Sequence, residues 1–269
     1  MDAVAERDLP ALAVERDARP ASFSVFGIKI TPMTLDVLLT TLAAFVASRR
    51  PCVIASQNMH GISVMLHDDD FRRLHEDGET LVHIDGMPLV ALCRLAGLPV
   101  GREHRVTLVD LVWPLLSLAE ASGWRVFYLG STRRVLDRAL DVVRRRHPGL
   151  PVAAHHGFFD LTDRRANDAV VAEIRSFAPQ LLLVGMGMGR QERWIAEHRA
   201  AVGDAVILTV GACMEYVAGE VGTPPRWMGG SGLEWVYRLT ESPARFWRRY
   251  LVEPWPVFLY LLRSMARRP

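Results

Sequence analysis

Lysine is almost missing from this chain: Lys29 is the only one, and arginine makes up the remainder of the 32 basic residues. A GC-rich coding sequence accounts for most of those arginines, so their number alone assigns no function. Cysteine is scarce as well. Cys52, Cys93 and Cys213 are odd in number and sit among apolar neighbours, which argues against a disulfide framework and fits buried thiols in a reducing cytosol. Neither a C-x-x-C nor an H-E-x-x-H spacing occurs, so no zinc site is expected. Long apolar runs are absent too. A membrane-spanning helix needs roughly 20 consecutive apolar residues, whereas Leu35 to Val46 is interrupted by Asp36, Thr40 and Thr41, and Val257 to Leu262 is far too short. Met1 to Pro20 mixes Asp, Glu, Arg and Ala without an apolar core, so it reads as a loose leader and not a secretory signal. Net charge is only +2, which leaves the chain as a whole unsuited to nucleic acid or other polyanions. Any membrane contact must be peripheral.

What is present is a globular composition: 50% hydrophobic and 23% charged over 269 residues, enough for one large domain plus an appendage. Continuous apolar runs at Cys52 to Ser56, Leu81 to Ile84, Arg125 to Leu129, Pro151 to Ala154, Leu181 to Val184 and Ala205 to Val210 read as buried parallel strands, because they do not alternate. Stretches such as Val135 to Arg146 and Asn167 to Phe177 carry the helical period. Phe23 to Ile30 reads as a small hairpin or edge strand, and Thr31-Pro32 as a helix cap with a first-turn proline. Repeated β-α units predict a doubly wound, mostly parallel Rossmann-like sheet with helices on both faces and a helical C-terminal appendage. The expected division is a leader over 1–20, an α/β catalytic domain over 21–222 and an Arg/Trp-rich, membrane-facing appendage over 223–269.

That appendage is where basic charge concentrates. Arg226, Arg238, Arg245, Arg248, Arg249, Arg263, Arg267 and Arg268 interleave with Trp227, Trp235, Trp247 and Trp255, and cationic forks among amphipathic aromatics suit a lipid surface or a phosphate ligand. Gly229 to Gly232 punctuate the segment, and Ser242-Pro243 reads as a helix start. Arg245, Arg248 and Arg249 should share one face of the helix that follows, by i, i+3, i+4 spacing.

Ligands of such a sheet bind at the carboxyl ends of its strands, so candidate residues are sought there. Ser56, Asn58 and His60 offer hydroxyl, amide and imidazole groups to sugar hydroxyls, or else Ser56 or Asn58 caps a helix. Asp85 closes an apolar strand and precedes Gly86. A carboxylate at that rim is partly desolvated and gains basicity, which makes Asp85 the candidate general base, compatible with a cap on the helix from Met87 to Leu95. Gly130 and Ser131 precede a helix and offer an anion site. Gly185 and Gly187, followed by Arg190, Gln191 and Glu192, offer backbone amides to a phosphate or sugar, but their G-x-G-x-G spacing with no ribose-binding acid argues against a dinucleotide fingerprint. Asp68-Asp69-Asp70 contains the D-x-D that can hold a divalent metal; its polar surroundings favour a solvated helix start.

These segments, in this order from about Ser22 to Leu262, resemble the WecG/TagA/CpsF family of glycosyltransferases. The family's Thr-x-Asn is similar to Ser56-Gln57-Asn58, its Asp-Gly to Asp85-Gly86, and its Arg-x-x-Gly-x-Asp to Arg105 through Asp110. Its Gly-x-Gly-x-Pro-Lys-Gln-Glu resembles Gly185 to Glu192, and its Gly-Leu-Glu-Trp…Arg-Leu…Pro…Arg-Tyr resembles Gly232-Leu233-Glu234-Trp235, Arg238-Leu239, Pro243 and Arg249-Tyr250. Leu108 stands for a glycine, Gly189 for a proline, Arg190 for a lysine and Glu215 for an aspartate. The resemblance implies a hexosyl- or N-acetylhexosaminyltransferase that moves a sugar from a UDP-sugar to a polyprenyl-diphosphate-linked saccharide. It implies inversion, no obligatory metal, and work at the inner face of a bacterial plasma membrane in exopolysaccharide, capsule or wall polymer synthesis. Asp85 would deprotonate the acceptor, Ser56, Asn58 and Gln191 would position the donor sugar, and Arg105 would order the site. Arg238, Arg245 and Arg248 or Arg249 would neutralise the departing diphosphate. Two other classes stay open: an NAD(P)-dependent α/β oxidoreductase, and a non-catalytic scaffold recruited to lipid. Self-association is likewise open.

Overall fold

The structure, a computed structural model, describes residues 19–223, 228 and 234–266, with the side chain of Arg245 outside that description. The expectations for residues 1–18, for Arg226, Trp227, the Gly229–Gly232 run, Leu233, Arg267 and Arg268, and for the Arg245 side chain, lie outside the described residues.

A short antiparallel hairpin comes first, β1 (Phe23–Val25) and β2 (Ile28–Ile30). Helix α1 (Leu35–Ser48) leads into β3 (Cys52–Gln57), α2 (Met59–Met65), α3 (Asp69–Glu76), β4 (Thr80–Ile84) and α4 (Met87–Leu95). Then follow α5 (Leu108–Ala121), β5 (Val126–Gly130), α6 (Arg133–Arg146), β6 (Val152–His155), α7 (Arg164–Phe177), β7 (Leu181–Gly185), α8 (Arg190–His198), β8 (Val206–Thr209) and α9 (Cys213–Val217). The main sheet has 6 strands in the order β4-β3-β8-β7-β5-β6, and each neighbouring pair is parallel. From β3 the chain steps out to one edge at β4, crosses to β5 and β6 at the other, and fills the middle with β7 and β8. The predicted fold class is the observed one.

Both faces of the sheet are covered, which is why its strands are apolar throughout. Leu181, Leu183 and Leu208 pack on the side of α1, α5 and α6, whereas Leu182, Val184 and Ile207 pack on the side of α7 and α8. A third cluster lies beside β4, where the hairpin, α2 and α4 meet.

The helix expected at Thr31-Pro32 begins later. Thr31 is buried and lies along β4, its N–H donating to Val82 O at 2.7 Å and its Oγ1 accepting from Val82 N at 3.0 Å. Pairing with a strand holds Thr31 extended, and Thr34 caps α1 instead, its hydroxyl accepting from Val37 N. Asp68 caps α3 through its Oδ1, which accepts from Asp70 N and Phe71 N, so the aspartate triplet is a helix start.

The carboxy-terminal arm consists of α10 (Glu234–Glu241), α11 (Pro243–Trp247), a π-helical turn (Arg248–Val252) and α12 (Pro254–Ala266). Ser242 precedes α11, with no side-chain cap bond among the described residues. The π turn, closed by Glu253 N to Arg248 O at 2.9 Å, widens the spacing beyond Arg248, so Arg248 is exposed while Arg249 is half-buried. Both nevertheless line one cavity at the end of the sheet. Helix α12 buries Val257 and Leu261 in the cluster beside β4, and Tyr260 donates its hydroxyl to Phe26 O at 3.1 Å. Its other face leaves Trp255, Phe258, Leu259, Leu262 and Met265 exposed. No helix among the described residues is long and apolar enough to cross a membrane.

Candidate active site

Every strand of the parallel sheet delivers residues to one cavity of about 630 Å³ at its carboxyl end. Ser56, Asn58 and His60 follow or close β3, His83 and Asp85 come from β4, and Ser131 follows β5. Gly157 and Phe158 follow β6, Gly185 to Met188 follow β7, and Thr209 to Ala212 follow β8. The arm closes the open side with Arg238, Phe246, Arg248, Arg249 and Glu253.

Asp85 is held by its neighbours. Its N–H continues the ladder to Gln57 O at 2.8 Å, and its Oδ2 accepts from Asn58 Nδ2 at 3.0 Å. Asn58 can make that donation in only one sense, because its Oδ1 caps α2 by accepting from Gly61 N at 3.0 Å. The cap expected from Asp85 on α4 is not formed: Gly86 occupies the N-cap with φ 151°, without a side-chain cap bond. That backbone conformation suits glycine, and it turns the chain so that the carboxylate stays on the cavity wall. Ser56 closes the same corner, its N–H donating to Thr209 Oγ1 at 2.9 Å. His83 lies two residues before Asp85 and therefore on the same side of β4. Among the described residues its buried Nδ1 has no hydrogen-bond partner, and burial holds its pKa below the ordinary value against the pull of the Asp85 charge.

Arg238 lines the same cavity half-buried, and among the described residues its Nε has no hydrogen-bond partner. Burial works against its charge, but Tyr216, Tyr250, Asp85 and Glu234 outweigh it, so its pKa ends above the ordinary value. Burial and then the Arg238 charge lower the pKa of Arg249, which stays ionised because guanidinium starts so high. His60 Nδ1 meets Glu253 Oε2 at 2.6 Å. Burial and the Arg249 charge lower the His60 pKa, with Glu253 opposing. A guanidinium pair and a hydrogen-bonded carboxylate in one cavity suit a reaction in which a proton is taken up and negative charge develops.

Of the other predicted residues, Arg105, Asp110, Gly130 and Glu192 stand behind the wall, while Arg190, Ser131 and Gln191 reach it with side chains engaged elsewhere. Arg105 pairs with Glu234 Oε1 at 3.0 Å and with Asp110 Oδ2 at 3.8 Å, tying the body to α10. Asp110 also accepts from Thr107 Oγ1 at 2.6 Å. Gly130 is a packing glycine, since a Cβ there would meet Gly185 O at 2.2 Å. Arg190 reaches the rim but donates its guanidinium to Gly157 O and Phe159 O. Ser131 donates to Glu215 Oε2 at 3.0 Å. Gln191 touches the cavity, yet its Nε2 donates to Glu192 Oε1 at 2.7 Å and its Oε1 accepts from Gly211 N at 3.3 Å. Glu192 is fully buried and contacts no ligand space. Among the described residues no cluster of His, Cys, Asp and Glu is placed to hold a metal ion.

Thr107, Thr209, Tyr216 and Glu253 line the cavity but were not expected there. Thr209 carries the signal that marked Asp85, a polar residue at the end of an apolar strand. Glu253 follows Arg249 by four residues, one turn along the arm. Tyr216 has no such signal, because only the tertiary turn after β8 directs it inward.

The model of the glycosyl transferase WecG/TagA/CpsF family matches residues 23–269 of this chain. Curated relatives include the N-acetylglucosaminyldiphosphoundecaprenol N-acetyl-beta-D-mannosaminyltransferases of Staphylococcus aureus strains MW2 and COL. Each is 26% identical over 259 residues, covering 96% of this chain and 98% of the relative.

Proposed function

The chain belongs to the WecG/TagA/CpsF family of glycosyl transferases, and from that premise we propose that it moves a sugar from a UDP-sugar to a polyprenyl-diphosphate-linked saccharide, with inversion. The observation that carries this reading is the pairing of an Asn58-held Asp85 with Arg238 and Arg249 across one cavity. Asp85 accepts the proton of the acceptor hydroxyl as that oxygen bonds to the anomeric carbon. The bond from that carbon to the UDP oxygen breaks, and its electron pair leaves with the diphosphate. Arg238, Arg249 and Arg248 face that charge, so the countercharge comes from guanidinium groups without a resident metal. The relatives' names specify an N-acetylglucosaminyl diphosphoundecaprenol acceptor, and a lipid-linked acceptor of that class suits an arm whose outer face presents Trp255, Phe258 and Leu259. Such a face binds the bilayer interface from the cytoplasmic side, where UDP-sugars are made.

Incubation with a panel of UDP-sugars and a prenyl-diphosphate N-acetylglucosamine, with mass spectrometry of the products, tests the reaction. One donor should give a product one sugar heavier, and Asp85→Asn should lower that transfer on the order of a hundredfold or more. No product from any donor, or near-normal turnover by the variant, would refute the reading.

A further inference from the structure

We propose that ionised Glu192 is a positioning residue: it clamps together the loops after β7 and β8, and transfer requires that clamp. The inference rests on the glycosyl-transfer reading above. Glu192 is fully buried, and its carboxylate accepts from Gly189 N at 2.6 Å and from Gln191 Nε2 at 2.7 Å. Gln191 in turn accepts from Gly211 N at 3.3 Å. One carboxylate thus fixes the loop carrying Gly185 to Met188 directly and the turn carrying Gly211 through an amide relay. Both segments are cavity wall.

The partners make the ionised form the matching one. Gly189 N–H and the Gln191 amide are donors, and a carboxylate can accept from both. A protonated carboxyl turns one of its oxygens into a hydroxyl, a weaker acceptor whose O–H finds no acceptor in these two donors, so one arm of the clamp is weakened. Burial raises the Glu192 pKa to about 7 despite the hydrogen bonds from Gln191 and Gly189, with the Asp68 charge adding to the rise. Asp68 faces Glu192 from α3 and is itself paired with Arg193 at 3.1 Å. The clamp therefore opens and closes near neutrality.

Two readouts then move in opposite directions. Because the folded pKa lies above the ordinary carboxyl value of 4.5, the protonated form stabilises the fold, and that stability is lost as pH rises from about 4.5 through about 7. Activity gains over the upper part of the same window, since the clamp is made by the ionised form. A purely structural carboxylate would move only the first.

The experiment compares wild type with Glu192→Gln, following transfer and thermal unfolding from about pH 5 to about pH 9. Wild-type transfer should carry a limb with its midpoint near 7. The variant should lose that limb and run about tenfold slower above it, as expected when an amide meets one of the donors with its own NH2. Its melting temperature should cease to fall across the window. The Gln191 side-chain amide resonance of the wild-type protein, followed by NMR, should titrate with the same midpoint, and this holds whether or not the variant folds. A flat Gln191 resonance, or a variant with the wild-type pH profile, overturns the proposal. Absence of transfer by wild type with every donor overturns the glycosyl-transfer reading instead, and the resonance then decides Glu192 alone.

Discussion

Asp85 and Arg238 face the same cavity by different routes. Asp85 sits where a buried parallel strand ends, one residue beyond Ile84, and its position follows from the β3–β4 register and the Asn58 cap. Arg238 is carried in on an arm of short helices whose holds on the body include Val257 and Leu261 in the cluster beside β4, Tyr260 on the hairpin, Glu253 on His60 and Glu234 on Arg105. Burying each of the apolar anchors contributes roughly 1.5–3 kcal/mol, far less than the continuous core behind the sheet. The carboxylate we propose as base is preorganised by the fold, whereas the guanidinium we propose as countercharge depends on docking. A surface that engaged the exposed face of α12 would therefore favour the assembled site.

Breaking this contrast starts with the arginine. Arg238→Ala should lower kcat about a hundredfold with a smaller change in KM, because charge on the diphosphate develops as the bond breaks. Arg248→Ala, at an exposed position, should cost less than about tenfold. Equal losses in steady-state assays would show that the arm acts as a diffuse positive field and not through one half-buried guanidinium. The anchors come next. Leu261→Ala removes about 2 kcal/mol of docking, so hydrogen exchange of α12 amides should speed up while that of β5 and β7 stays slow. Uniform acceleration would mean that arm and body unfold as one unit.

The same contrast explains what the sequence made legible. Strand runs such as Leu181 to Val184 are apolar because both faces of the sheet are covered, so the pattern itself announced the sheet. Asp85 and Ser56 were legible because strand ends are marked by the change from apolar to polar. Thr31-Pro32 misled because cap chemistry is local, while the pairing of Thr31 with Val82 joins residues 51 apart in sequence. Glu192 misled for a related reason: an acid beside a glycine loop looks like a ligand contact, but it is fully buried, and its carboxylate is taken up by Gly189 N and the Gln191 amide. In the arm, nothing in Arg248 to Val252 as a string marks the π turn that forms there.

The smallest effect belongs to the pair joining the two regions. Arg105 is largely buried, with a side-chain exposure of 14%, and Glu234 is more open at 26%. Replacing Glu234 by Gln leaves Arg105 with Asp110 at 3.8 Å, so the guanidinium keeps a partner and the fold should survive. What is lost is an ion pair in partial solvent, about 1 kcal/mol, or roughly fivefold in transfer if α10 must dock for Arg238 to reach the cavity. Arg105→Gln alone should cost more, since it also frees Asp110. A double-mutant cycle separates these contributions: a coupling near 1 kcal/mol between the two positions supports the latch, because each single change already removes the shared contact. Strictly additive losses would mean that Arg105 serves the cavity wall and Glu234 the arm, with no link between them.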